Sequence, residues 1–484
     1  MRRKEKKTLP LIEKVEITDA GSEGKAVARS GDLVIFIPFG APGDLVDVQL
    51  TALKKSFGEG RIVRYHHRSE KRQDPFCPHF GLCGGCKWQH LKYSEQLFFK
   101  QKQVEDHFTR IGKLDVTDIS PILPSTRTLH YRNKLEFTFS NRRWLTDQGS
   151  PDAGDHTRDM RALGFHLPGM FDRVLDIREC RLQEDPSNAI RMAVKAFAIE
   201  QDLPFYDVKK GTGLLRNLII RNTLQGEWMV IPVFRYLDES VVEALLDHLA
   251  RNFPWLTSLM YVINEKRNDT ITDQKIYLYR GAPYLVETMP AYGTGKILRF
   301  KVGPVSFFQT NTLQAVELYR IAASFASPDE GDLVYDLYTG TGTIACYIAG
   351  KARLVVGIDN VGPAIDDAVE NARFNQIPNT RFFCGDIAGV LNDTFLEANG
   401  SPDIVITDPP RAGMHEKVIR QLLAILPHKI VYISCNPATQ ARDLSLMQDH
   451  YRISRIQPVD MFPHTQHVEN VVLLIRKDSQ PGTE

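Results

Sequence analysis

Hydrophobic and polar positions follow two different periods along this chain. From about residue 9 to 68 they alternate over short runs, as in Leu33-Val34-Ile35-Phe36-Ile37, Leu45-Val46-Asp47-Val48-Gln49-Leu50 and Gly60-Arg61-Ile62-Val63. Turns at Gly21-Ser22-Glu23-Gly24 and Gly40-Ala41-Pro42-Gly43 separate the runs. Short strands between such turns predict a small closed β-barrel of the oligonucleotide-binding type. From about residue 297 the pattern changes to short apolar strands alternating with helical stretches. Leu333–Asp336, Leu354–Asp359, Asp403–Thr407 and Lys429–Ile433 are the strands, and Pro363–Asn375 is one of the helices. This predicts an α/β domain with a doubly wound, Rossmann-like parallel sheet. Asn470–Ile475 is expected as an edge or antiparallel strand that closes it. Between these regions the signals are mixed. A helix is predicted over Ser94–Ile111, strands over Leu135–Phe139, Leu218–Arg221 and Trp228–Val233, and an exposed loop over 145–160. The expected division is a barrel with a basic tail (1–68), a mixed α+β central domain (69–296) and the α/β domain (297–484).

Composition narrows the class without naming it. The chain has 484 residues, 43% of them hydrophobic and 25% charged, as in an ordinary globular protein. No apolar run approaches the ~18 residues that span a bilayer. Met1 to Lys7 is basic but has no apolar core behind it, so it does not read as a secretory leader, and a cytoplasmic protein is expected. Net charge is +1, but its distribution is uneven. Lys54, Lys55, Arg61, Arg64, Arg68, Lys71 and Arg72 crowd one segment against only Glu59 and Glu70, and Arg2, Arg3, Lys4, Lys6 and Lys7 add to them. Such clusters suit phosphate contacts. The seven cysteines, an odd number, argue against a disulfide framework.

The first chemical motif is Asp336-Leu337-Tyr338-Thr339-Gly340-Thr341-Gly342, a strand followed by a glycine turn. Gly340 and Gly342 let the backbone approach a ligand. Asp359, seventeen residues past Gly342, ends the next strand and is placed for ribose hydroxyls, and Asp386 follows the strand after that. The turn departs from G-x-G-x-x-G and suits S-adenosylmethionine, which has no phosphate, better than a nicotinamide. The second motif is Ser434-Cys435-Asn436-Pro437, at the exit of an apolar strand. Asp408-Pro409-Pro410-Arg411 precedes it, and His464-Thr465-Gln466-His467-Val468-Glu469 follows.

Together these groups suit methylation of uracil C5. That carbon is a poor nucleophile until a thiolate adds to C6 and makes it enolate-like. A base must later remove the C5 proton so that the thiol can leave. Cys435 can be the thiolate and Glu469 the base. Asp408 can orient the ring, Phe307 or Phe308 can stack on it, and Gln309 can hold the donor. The rival readings are Cys435 as a packing residue, Asp-Pro-Pro as an amine-binding loop of an amino-group methyltransferase, and Glu469 as a surface carboxylate. Cys346 and Cys384 read as packing residues.

Residues 297–476 resemble the RNA uracil-5-methyltransferase family, whose members modify ribosomal RNA and tRNA. The matching segments are Phe307-Phe308-Gln309-Thr310-Asn311, Asp336–Gly342, Asp408–Gly413, Ser434–Thr439 and His464–Glu469. The resemblance implies Cys435 as nucleophile and Glu469 as proton-abstracting base. It implies donor contacts from Gln309, Tyr338, Thr343, Asp359 and Asp386, and uracil contacts from Phe307 and Asp408. Two positions depart from the family pattern: Thr339 stands where cysteine is frequent, and Asp359 where glutamate is usual.

Cys77, Cys83 and Cys86, with Cys180 far downstream, would suit zinc or an iron–sulfur cluster by residue type alone. Their pattern resembles the 4Fe-4S site of the family's ribosomal-RNA branch, which implies that cluster. The N-terminal barrel resembles the TRAM-type RNA-binding barrel attached to such enzymes. Arg132, Lys134 and Arg216, in further family-like segments, are candidate RNA contacts or structural pairs. The expectation is therefore an S-adenosylmethionine-dependent RNA uracil-5-methyltransferase. 23S ribosomal RNA is the expected substrate, tRNA the alternative, and a non-catalytic RNA-binding or assembly protein the rival class. No membrane partner is expected, and a monomer is.

Overall fold

A computed structural model describes residues 9–116, 118–145 and 159–477. The basic tail from Arg2 to Lys7 and most of the 145–160 loop lie outside the described residues. Strands β1 (Leu11–Ala20), β2 (Lys25–Ser30), β3 (Leu33–Pro38), β4 (Leu45–Leu53) and β5 (Phe57–His67) close into a barrel in the order β1-β2-β3-β5-β4. Alternate residues fill it, among them Ile35, Ile37, Val46, Val48 and Leu50. Not all of the basic segment is free for phosphate. The Arg72 guanidinium donates to Asp44 at 2.6–3.1 Å and to the Phe39 carbonyl at 2.8 Å, and Lys71 pairs with Glu95 at 3.0 Å. Burial works against the ionised Asp44 carboxyl, but its hydrogen bonds to Arg72, Ser69 and Ala41 still hold it below the usual carboxylate range. Lys54, Lys55, Arg61, Arg64 and Arg68 remain exposed on the barrel.

After the barrel runs helix α1 (Tyr93–Arg110). The central region then builds a seven-stranded sheet from β6 (Lys134–Ser140), β7 (Ala162–Leu167), β8 (Met170–Asp176), β9 (Leu215–Asn222), β10 (Trp228–Phe234), β11 (Ser258–Ile263) and β12 (Ile276–Gly281). Its order is β12-β11-β10-β9-β6-β7-β8, antiparallel except for β10–β11. Helices α2 (Ser187–Glu200) and α3 (Glu239–Asn252) share one core with it, built on Phe137, Leu218, Val194 and Leu245. A hairpin, β13 (Leu285–Pro290) and β14 (Ile297–Val302), leads into helix α4 (Thr312–Ala326).

The C-terminal sheet comprises β15 (Leu333–Leu337), β16 (Leu354–Asp359), β17 (Thr380–Cys384), β18 (Ile404–Thr407), β19 (Lys429–Ser434), β20 (Tyr451–Val459) and β21 (Glu469–Arg476). Helices α5 (Thr343–Ile348) and α6 (Gly362–Phe374) follow its first two strands. The order is β17-β16-β15-β18-β19-β21-β20, parallel from β17 to β19. Successive side chains divide between two layers, as the period of a strand requires. Val334, Val431 and Val471 pack with α4 and α5, whereas Tyr335, Tyr432 and Val472 pack on the other face. Val104 and Phe108 of α1 join that second face, so the helix covers the C-terminal sheet although it precedes the central one in sequence.

The expectation for the last strand is met in its direction but not at the edge. β21 is antiparallel and lies between β19 and β20, which leaves β20 outermost. The reason is visible in the two sequences. Val471–Leu474 is apolar on both faces and buried, whereas β20 exposes Arg452 and Arg455. Among the described residues, no helix is long and apolar enough to cross a membrane.

Candidate active site

Strand register assembles the site. In the antiparallel pair β19–β21, Ser434 lies opposite Asn470. The next residue outward on each strand is Cys435 on one and Glu469 on the other, so both reach the same end of the sheet. In the parallel strands, Leu337 pairs with Thr407 and Thr407 with Tyr432, which brings Tyr338 and Asp408 to that end too. Asp359 closes β16 beside Cys384 on the same rim. The rim spans the point where strand order reverses between β15 and β18, the usual place for a ligand crevice in an open α/β sheet.

Burial and neighbouring charge shift three groups on this rim, Cys435, Glu469 and Asp408. Burial, then the charges of Glu469 and Asp408, push the Cys435 thiol up to about 11, while a hydrogen bond and the charge of Arg411 act the other way. Burial and the Asp408 charge push the Glu469 carboxyl up to about 8, again opposed by Arg411. Burial, with Asp336 adding to it, pushes Asp408 up to about 7. Glu469 is only 5% exposed, so it is not a surface carboxylate. Cys435 is half-buried and belongs to none of the apolar clusters, so it is not a packing residue. Through its charge, Arg411 favours the ionised form of both Cys435 and Glu469. Sequence reasoning passed over its role, although it completes the Asp-Pro-Pro-Arg motif. His467 is also close: burial first, then the nearby Arg411, Lys100 and Arg132, push its ring down to about 4, which leaves it neutral at pH 7.

Beside this cluster the glycine turn is tightly wound. Tyr338, Gly340 and Gly342 all have positive φ (61°, 55° and 73°), costly for tyrosine and free for glycine. A side chain at Gly342 would place Cβ 2.9 Å from that of Ala368 on α6. Asp359 holds the turn, accepting from the Gly340 N–H and the Val361 N–H at 2.9 Å each. Asp336 accepts from Thr339 Oγ1 at 2.6 Å and from the Ala345 N–H at 3.1 Å. Its other oxygen is buried with no protein partner, and burial raises its pKa to about 7. Thr339 therefore gives the turn an internal hydrogen bond. Thr343 opens α5, within 3.3 Å of the Tyr319 hydroxyl, and Asp386 is exposed just past β17. Phe307 is 66% exposed, whereas Phe308 is 6% exposed and packs near Phe300 with ring centroids 6.2 Å apart. Of the two aromatics, Phe307 is the one whose ring is open. Gln309 is half-buried two residues further on.

Cys77, Cys83, Cys86 and Cys180 line a single cavity of about 330 Å³ together with Arg132, Leu182 and Phe80. Among the described residues, no group of three or more His, Cys, Asp or Glu side chains is gathered so as to hold a metal ion. Burial first, and then the neighbouring thiols, push Cys83 up to about 11 and Cys86 up to about 12. The segment that carries these cysteines braces the loop ahead of Glu469. The N–H groups of Lys87 and Trp88 both donate to the His464 carbonyl, at 2.9 and 3.0 Å. Tyr131 Oη donates to the Pro463 carbonyl at 3.1 Å, and the fully buried Lys100 ammonium donates to Asp460 at 2.6 Å. A buried pair such as this one costs about 3–5 kcal/mol to break from one side.

The structure separates readings that the sequence left open. Arg216 is 1% exposed, and its guanidinium is spent on the carbonyls of Asn264, Lys266 and Asn268 and on Asp269, so it is a structural pair and not an RNA contact. Arg132 lies over the Phe462 ring, 5.6 Å from its centroid. Lys134 is half-buried, and its pKa is lowered by burial and then by Arg221. Cys346 is buried as expected, but Cys384 is exposed, because β17 is the outer strand of the sheet.

The sequence pattern of the tRNA (uracil-5-)-methyltransferase family matches residues 269–477, and that of the TRAM domain matches residues 12–63. An RNA methyltransferase of Bacteroides thetaiotaomicron is 52% identical over 456 residues, which cover 94% of this chain and 99% of that protein. One of Porphyromonas gingivalis is 52% identical over 468 residues, covering 96% and 99%. Among solved structures, the Pyrococcus abyssi tRNA (uracil-54, C5)-methyltransferase in complex with S-adenosyl-L-homocysteine superposes with a TM-score of 0.71 at 27% identity, over 95% of this chain and all of that one.

Proposed function

The chain belongs to the S-adenosylmethionine-dependent RNA uracil-5-methyltransferase family, and from that premise we propose that it methylates C5 of a uridine through a covalent bond from Cys435 to C6. One observation carries this reading: the pairing of Ser434 with Asn470, which brings Cys435 and Glu469 out together beside the donor turn.

The steps then follow from the groups present. The Cys435 thiolate adds to C6, and the electron pair of the C5–C6 double bond moves towards C5 and the O4 carbonyl. Arg411 favours the thiolate, and Asp408 hydrogen-bonds the uracil edge. Phe307 stacks on the ring of a uridine drawn out of its helix. S-adenosylmethionine, when bound, would supply an electrophilic methyl group; C5 takes it up as the methyl–sulfonium bond breaks, leaving S-adenosylhomocysteine. Glu469 then removes the C5 proton, the C5–C6 double bond re-forms, and the Cys435–C6 bond breaks. Gln309, Tyr338, Thr343, Asp359 and Asp386 are the proposed donor contacts. The unpartnered oxygen of Asp336 supports a ligand with cationic groups in this crevice. Residues 1–68 and 69–296 are proposed to hold the RNA, and 297–484 to carry the chemistry.

We take 23S ribosomal RNA as the substrate. The four cysteines support it: their sequence pattern resembles the 4Fe-4S site of the family's ribosomal-RNA branch, and they line one cavity. The solved neighbour acts on a tRNA, which keeps tRNA as the second reading. Methyl transfer from labelled donor into 23S fragments and into tRNA transcripts separates the two. Labelling of tRNA alone rejects the ribosomal assignment, and labelling of neither rejects the activity. The rate under single-turnover conditions is expected to climb between pH 6 and 9. The two working groups must both be deprotonated, and both have pKa values raised above their ordinary ones, to about 8 and about 11. A rate that falls over this window assigns the wrong protonation states.

The four cysteines are proposed to hold a 4Fe-4S cluster. Thiols spread around one cavity suit a cluster of several irons better than a single zinc, whose sulfurs must all lie about 2.3 Å from one point. A cation there would also offset the burial and mutual repulsion that keep these thiols protonated. Protein purified without oxygen is expected to absorb broadly in the visible and to contain about four irons per chain. A colourless, zinc-loaded protein would reject the cluster.

A further inference from the structure

The strap from Gly303 to Thr312 carries Phe307 and Gln309 past the donor turn, and it is fastened from the central sheet. Arg221, in β9, is 5% exposed. Its guanidinium donates to the Gly303 carbonyl and, at 2.7 Å, to the Ser306 carbonyl. Among the described residues it has no salt bridge. Ser306 Oγ donates to Asp367 on α6 at 2.6 Å and accepts from the Gly303 N–H at 3.0 Å. Just before β6, Asn133 Nδ2 donates to the Gln309 carbonyl and to Thr312 Oγ1, both at 2.9 Å, and its backbone N–H donates to the Thr310 carbonyl at 2.8 Å. Glu287, buried in β13, accepts from Thr312 Oγ1 at 3.0 Å. On the donor side, Thr341 Oγ1 donates to the Phe307 carbonyl at 3.3 Å.

A buried guanidinium bonded only to carbonyls is a costly way to pack a loop. An apolar side chain of the same length would fill the space without desolvating a charge. What the guanidinium adds is geometry, because its N–H groups lie in one rigid plane and fix two carbonyls relative to each other. Those carbonyls belong to Gly303, where the strap begins, and to Ser306, the residue immediately ahead of Phe307. The strap is thus set between Arg221 on one side and Thr341 of the donor turn on the other.

We propose that Arg221 is a positioning residue for methyl transfer, which sets the height of Phe307 and Gln309 over the donor turn. The inference rests on the donor site proposed above. The test is calorimetric binding of S-adenosylhomocysteine to the full chain, alongside hydrogen exchange of residues 303–312 and binding of an unmodified RNA transcript. If the unsubstituted protein does not bind S-adenosylhomocysteine, the donor reading itself fails. Given that binding, Arg221→Met is expected to weaken it about ten-fold, because misplacing contacts by a fraction of an ångström is enough for such a loss. Exchange should rise in the strap but not in Leu218–Ile220 of β9, and RNA affinity should stay within about two-fold, since phosphate contacts from the barrel and central domain, which dominate it, are untouched even where Phe307 shifts. Arg221→Lys, which keeps the charge and reaches one carbonyl, should fall between the two. If Arg221→Met does not fold, Ser306→Ala removes the strap's link to Asp367 and should weaken S-adenosylhomocysteine binding about three-fold. Unchanged S-adenosylhomocysteine affinity and strap exchange in the folded variants would overturn the proposal, as would equal losses of donor and RNA binding.

Discussion

Replacing Cys435 by Ala is expected to lower methyl transfer by about 10⁴-fold or more, because the other thiol described on the rim, Cys384, ends β17, four strands away from β19 and Glu469. RNA binding should survive. Cys435 lies in no apolar cluster and is half-buried, so its loss leaves Arg411, Asp408 and Phe307 where they are. Filter binding and single-turnover transfer, measured on the same preparation, separate the two effects. A variant that still methylates at a rate near that of the unsubstituted protein would move the chemistry to an amino group held by Asp-Pro-Pro-Arg, with the thiol a bystander.

Glu469→Gln leads to a different failure. The shape of the side chain is kept and its charge is lost. The thiol should add to C6 at least as readily, since Glu469 is the first of the neighbouring charges that raise its pKa. The methyl group should then arrive at C5, but the C5 proton has nowhere to go. Without its departure the double bond cannot re-form and the sulfur cannot leave. Turnover should drop by about 10²–10⁴-fold while a methylated protein–RNA adduct accumulates. On a denaturing gel the adduct migrates more slowly than free protein, and nuclease treatment should collapse the shift. If a first round of methylation proceeds and no such species forms, proton removal belongs to another group. The double variant with Cys435→Ala should lose the adduct altogether, which ties the band to that sulfur.

Much of this site could be read before any fold was known. Asp336–Gly342, Asp408–Arg411 and Ser434–Pro437 each follow a short apolar strand, and strand ends are where an open α/β sheet keeps its chemistry. The residues that needed the structure are those whose surroundings come from far along the chain. Phe307 and Phe308 are neighbours of identical type, yet one is open and the other is core, because the strap presses Phe308 towards Phe300. Arg216 and Arg411 are both arginines in family-like segments. One is consumed by the carbonyls of the 264–268 turn, and the other faces the thiol. Arg221 gives no local signal at all, since its partners are Gly303 and Ser306.

Local periodicity and side-chain type were enough to yield the barrel, the alternating strands and helices, the glycine turn and the candidates for thiol and base, because these can be read from short stretches of chain. Long-range pairing supplied the rest. The insertion of β21 between β19 and β20, the docking of α1 on the C-terminal sheet, and the meeting of the cysteine segment with the loop before Glu469 all join distant stretches of chain. A sequence specifies such contacts only through the burial and hydrogen bonding of the whole, so the thiol of Cys435 and the carboxylate of Glu469 come out side by side only when two antiparallel strands settle into one register.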